Sequence, residues 1–134
     1  MKQSLLLTVT SLLSLLFLSF HHADDVARGF APGKFSNLIP ILFMVIWLYG
    51  TTLVYAERRS GYILILILSL LASGVPVIHM TRAGMAGGRL ANSPGHFFFV
   101  WTVIIIGATT LFSVLIAALG LWNWSRHTNK PIEK

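Results

Sequence analysis

Residues 61–80 read GYILILILSLLASGVPVIHM, a run without a single Asp, Glu, Lys or Arg. A helix rises about 1.5 Å per residue, so a run of this length covers the roughly 30 Å hydrocarbon core of a bilayer. In that solvent only a helix closes all its backbone hydrogen bonds within one segment. Residues 61–80 are therefore read as a transmembrane helix.

Three further runs repeat its character. The first, Ser4 to Phe20, is extended by His21 and His22 and is expected to be helical over about 4–25. The second covers 38–56, opened by the cap-like Ser36 and Asn37, with Pro40 in the first turn where a missing N–H is tolerated. The last covers 96–122 and follows Ser93 and Pro94, which read as a cap and a first-turn proline. The expected fold is an all-α integral membrane protein, a four-transmembrane-helix bundle with short loops, forming one domain over residues 1–134. The composition agrees, because 55% of the residues are hydrophobic and 10% charged, where soluble domains carry roughly 25% charged residues.

The first run also has the outline of a secretory signal, since Lys2 precedes a leucine-rich core. A cleavage site before Asp24 would put His21 where a small residue belongs, so the run is read as a retained helix. The absence of cysteine removes disulfides, iron–sulfur clusters, thiolate metal centres and cysteine nucleophiles. The net charge of +6 is scattered around apolar runs and forms no continuous patch, which argues against nucleic acid as a partner.

That charge is read instead as topology. With both termini cytoplasmic, Lys2, Arg58, Arg59, Arg126, Lys130 and Lys134 lie inside, against Arg28, Lys34, Arg82 and Arg89 outside. Tyr55, Tyr62, Trp122 and Trp124 then form an inner aromatic belt. The layout is that of many small bacterial membrane proteins, a likeness of architecture alone, and it places the chain in the inner membrane. The glycine-rich stretch from Gly84 to Gly88, flanked by Arg82 and Arg89, is no Walker loop, because no Gly-Lys-Ser/Thr follows; it reads as a connector or an anion-binding nest.

Histidine placement is the informative signal. His21 and His22 end the first run, His79 ends the third and His96 begins the fourth, so topology brings all four to the outer boundary. At about 100° per residue, Ser4, Thr8, Ser11, Leu15, Ser19 and His22 share a stripe, as do Gly61, Ile65, Ala72, Pro76 and His79. Small residues mark helix contacts in lipid, because close backbone approach supplies dispersion energy that hydrophobicity cannot. These stripes point His22, His79 and His96 inward.

Asp25 stands at i,i+4 from His21 and at i,i+3 from His22, and Asp24 at i,i+4 from Arg28, which supports the first helix for a further turn or two. A carboxylate on one imidazole nitrogen fixes the tautomer and leaves the other nitrogen free to ligate. The candidate metal ligands are His22, Asp25, His79 and His96, for a divalent transition metal. The candidate macrocycle site is His79 and His96 flanked by Phe98 and Trp101, for a b-type haem. The same residues could equally form an interfacial network bonded to loop carbonyls and headgroups. Neither His-Glu-x-x-His nor a diiron histidine box is present.

The interiors of the four runs lack Asp, Glu, Lys, Arg and His, which argues against a pump or self-contained ion transporter. The leading expectation is an accessory or assembly subunit of a membrane complex, with an outer-face His/Asp cluster. Its partners would be the lipid bilayer and other membrane subunits or a second copy. Two alternatives stay open: a metal-, haem- or pigment-binding redox subunit using His22, His79 and His96, and a small membrane enzyme with His22 and Asp25 as general base.

Overall fold

Pro76 lacks an amide proton, and its ring collides with the carbonyl four residues back, so a helix running through it must break or kink. In the computed structural model, which describes residues 2–29, 35–81 and 95–128, the expected helix over 61–80 is divided there. The elements are α1 (Gln3–Ala27), α2 (Leu38–Tyr55), α3 (Arg59–Ala72), α4 (Val75–Thr81) and α5 (His96–Thr128), with a 3-10 turn at Phe35–Asn37. At the break the Gly74 amide turns to the Leu71 carbonyl at 3.2 Å, a three-residue closure, and Ile78 resumes the four-residue pattern on Gly74 at 3.0 Å.

Four helical stretches are long and apolar enough to cross a membrane: Gln3–Ala27, Leu38–Tyr55, Arg59–His79 across the break, and His96–Arg126. They close a ring in which α1 packs on α2 and α5, and α3 packs on α2 and α5. The shared core contains Leu7, Trp47, Val54, Ile65, Ile116 and Ala117. Small residues set the approach distances, as the stripe on α3 requires. A Cβ on Gly61 would come 2.5 Å from the Val54 nitrogen, and one on Gly50 would come 3.1 Å from Leu64 and Ile65.

Hydroxyls are carried in this apolar core because the helix itself satisfies many of them. Thr8 donates to the Ser4 carbonyl at 2.8 Å, Ser14 to Thr10 at 2.9 Å and Ser19 to Leu15 at 2.8 Å. A short chain of bonds crosses between α1 and α2: the Trp47 indole donates to Ser11 Oγ at 2.7 Å, and Ser11 in turn meets Thr51 Oγ1 at 2.6 Å.

The turn between α2 and α3 has a recognisable helix-ending pattern. The Glu57 amide bonds Val54 at 2.9 Å and the Arg58 amide bonds Leu53 at 2.9 Å, with Glu57 at φ 55 in the left-handed position that usually takes glycine. The Glu57 side chain is tied to the start of α1, accepting from Ser4 at 3.2 Å and lying 3.6 Å from the Lys2 ammonium.

Candidate metal centre

Beyond Phe20, α1 continues for almost two turns. Arg28 Nε donates to Asp24 Oδ2 at 2.6 Å, closing the expected i,i+4 pair, and Gly29 at φ 73 ends the helix. On the neighbouring face Asp25 Oδ2 stands 3.6 Å from His21 Nε2. That is outside hydrogen-bond range but within reach of a shared ion.

His79 arrives from α4, the short segment that follows the break. Its Nε2 lies 3.0 Å from His21 Nε2, and the two rings stand at 90° with centroids 4.8 Å apart. As the contact stands, one imidazole donates and the other accepts. His21, Asp25 and His79 each offer a ligand atom, and the three atoms lie within 4.8 Å of one another. Bonds of about 2.0–2.2 Å to a tetrahedral metal place donors roughly 3.3–3.5 Å apart, so small side-chain adjustments would suffice.

The walls hold both imidazoles in place. Phe99 on α5 is buried and packs against both rings, its centroid 5.3 Å from His21 and 5.0 Å from His79. His21 is 6% exposed. Its Nδ1 is buried without a hydrogen-bond partner among the described residues. Arg28 reaches the start of α5, where a Cβ on Gly95 would come 2.8 Å from Nη2.

The structure assembles part of the expected set and exchanges the rest. His79 and Asp25 meet, but His21 occupies the place expected of His22. His22 is half-buried, stands outside the three-donor group and lines a cleft beside it. His96 is half-buried, its Nδ1 without a hydrogen-bond partner among the described residues, and it also stands outside the group. Phe98 and Trp101 point outward at 45% and 52% exposure, leaving Phe99 as the aromatic wall. The expected pairing of His79 with His96 is thus replaced by His79 with His21, and a 3.0 Å gap leaves no room for a macrocycle between those rings.

The shift from His22 to His21 has a packing cause. A stripe drawn at constant angle through Ser4 and Ser11 reaches His22. The buried residues of α1 are Ser4, Leu7, Thr8, Thr10, Ser11, Ser14 and His21, so the buried face turns toward α5 at this end. There α2 presents an exposed start, with Leu38, Ile39, Ile41 and Leu42 uncovered, while Phe99 supplies a buried surface. Which of two adjacent histidines is inward depends on that neighbour, which the stripe on α1 alone does not contain. A signal was available in the sequence: His21 with Asp25 is the better i,i+4 pair.

A second polar layer lies in the bundle's interior. Ser69 and Ser113 are fully buried, and neither hydroxyl has a partner among the described residues. Tyr62 lies against Gly120 and Pro76 against Gly107, and that antiparallel register brings Ser69 level with Ser113. At the other end Gln3 Nε2 donates to the Ile116 carbonyl at 2.9 Å. The proposed nest of Arg82 and Arg89 and the caps at Ser93 and Pro94 lie outside the described residues.

Comparison of the chain with protein-family models, with curated proteins and with solved structures yields no match. The roles of these residues rest on their chemistry and geometry.

Proposed function

We propose that the protein is an integral membrane protein that binds a divalent transition metal at the histidine end of its bundle, through His21, Asp25 and His79. The observation that carries this reading is the convergence of three donor atoms within 4.8 Å from two separate helical elements. Two imidazoles and a carboxylate suit zinc, iron, copper or nickel better than calcium or magnesium, which prefer oxygen alone. Three protein ligands leave at least one position open, the arrangement of sites that bind or process something rather than of closed structural sites. By the distribution of basic residues this end faces away from the cytoplasm, and both termini lie inside.

The assembly-subunit reading draws on a different feature, the exposed apolar face of Leu38, Ile39, Leu42 and Val45 on α2. Both roles fit one molecule, a small membrane subunit that holds a metal.

A metal inventory of the full-length protein purified in detergent tests the metal reading. Stoichiometric zinc, iron, copper or nickel is expected, lost in His21→Ala and in His79→Ala and retained in His22→Ala and His96→Ala. No bound metal after loading, or loss only in the last two variants, would overturn it.

A further inference from the structure

A cleft of about 290 Å³ opens beside the donor cluster, between α1, the start of α2 and the break that separates α3 from α4. Its walls are apolar, formed by Leu18, Phe43, Met44, Leu71 and Val75 among others. Its polar lining is confined to His21, His22 and Asp25. The flanks of the opening are uncovered and apolar, since Ile39 and Leu71 are both well exposed. The break contributes directly, because Leu71 and Val75 stand on either side of it and face the same space.

We infer that this cleft takes the hydrocarbon chain of a fatty acid, whose carboxylate fills the open position of the metal held by His21, Asp25 and His79. The inference rests on the metal reading and adds the class of ligand. Three features select this occupant. A polar end on an otherwise apolar cleft calls for an amphiphile. The volume stands at the lower limit of small-molecule pockets, roughly 300–1,000 Å³, which suits one chain better than a two-chain lipid. Finally, a divalent ion with one carboxylate, Asp25, retains a net positive charge, while Arg28 and Asp24 already offset each other at 2.6 Å. An anionic oxygen head completes that balance, and His22 at the cleft wall is placed to donate to it.

The test uses the full-length protein loaded with cobalt(II), whose visible spectrum reports its ligands. Dodecanoate should change the cobalt spectrum at a concentration at least about 100-fold below that needed with acetate, because chain burial adds to the carboxylate–metal bond. Leu71→Trp and Val75→Phe fill the cleft without touching a metal ligand. In either variant the cobalt spectrum should be retained, the dodecanoate requirement should rise about 10-fold or more, and the acetate requirement should stay unchanged. The wild-type comparison in the same detergent removes the effect of partition into micelles. Cobalt binding with equal response to dodecanoate in wild type and both variants would overturn the fatty-acid inference and leave the metal site standing. Failure of cobalt to bind at all would overturn both.

Discussion

Pro76 of α4 rests directly on Gly107 of α5: a Cβ at Gly107 would come 2.8 Å from the Pro76 Cγ. A proline ring has no rotamer by which to yield, so a side chain there must displace α4, and α4 carries His79. Gly107→Val is expected to weaken metal binding about 10- to 100-fold, the range seen when groups supporting a ligand are lost, with helix content by circular dichroism nearly unchanged. Wild-type affinity in Gly107→Val would show that the α4–α5 contact does not position His79.

Long apolar runs made legible the four helical stretches long enough to cross a membrane, because length and the absence of charge are local properties. The stripe of small residues on the third run was also legible: Gly61, Ile65 and Ala72 are buried on α3. Pro76 is visible too and does lie on a packing face, against Gly107; its second effect, dividing the helix between Ala72 and Val75, is not contained in the apolar pattern. The candidate site was half legible. Depth follows from topology and brings the ends of α1 and α4 and the start of α5 to one level, but the choice between His21 and His22, or between Phe98 and Phe99, turns on about 100° of rotation. That angle is set by neighbours on other helices.

Glu57 occupies a left-handed position at φ 55, where a side chain costs about 1–2 kcal/mol. Its carboxylate nevertheless joins the turn to Lys2 and Ser4 of the N-terminal segment. Glu57→Ala should lose these contacts and keep the backbone cost, whereas Glu57→Gly should lose the contacts and relieve the cost. Glycine is expected to be more stable than alanine by about 1 kcal/mol in reversible unfolding. Equal stability of the two variants would show that the turn relaxes out of this conformation.

Ser11 and Ser113 are both buried serines with opposite expected responses. Ser11→Ala leaves the Trp47 indole without its acceptor and Thr51 without its partner hydroxyl, at a cost of about 1–2 kcal/mol. Ser113→Ala removes a hydroxyl with no partner among the described residues and should be neutral or slightly stabilising. Unfolding in mixed detergent and dodecyl sulfate, followed by tryptophan fluorescence, distinguishes them. Destabilisation by Ser113→Ala of more than about 1 kcal/mol would mean that its hydroxyl is satisfied by a bound water or another group.

Metal held by His21 and His79 displaces protons from the imidazoles, so acidity must oppose binding. The sign follows from counting: the metal-free protein takes up protons that the loaded protein cannot, and affinity falls as pH falls. Affinity should fall monotonically as the pH is lowered from about 7.5 to about 4, the range in which imidazoles take up protons. Affinity unchanged across that whole range would exclude imidazole ligation.

The chain contains no cysteine, so a single introduced thiol reports the side of the membrane without background. Ala23 lies on the exposed side of α1 at the histidine end, and Ser60 is exposed at the opposite end, in the first turn of α3. Arg58 and Arg59 beside Ser60 should hold that turn in the cytoplasm. In intact cells an impermeant maleimide is expected to label Ala23→Cys and to reach Ser60→Cys only after permeabilisation. The reverse pattern would put the donor cluster of His21, Asp25 and His79 on the cytoplasmic side and change the side from which a metal would reach it. Labelling of both in intact cells would mean that the two ends of the bundle are not separated by a bilayer.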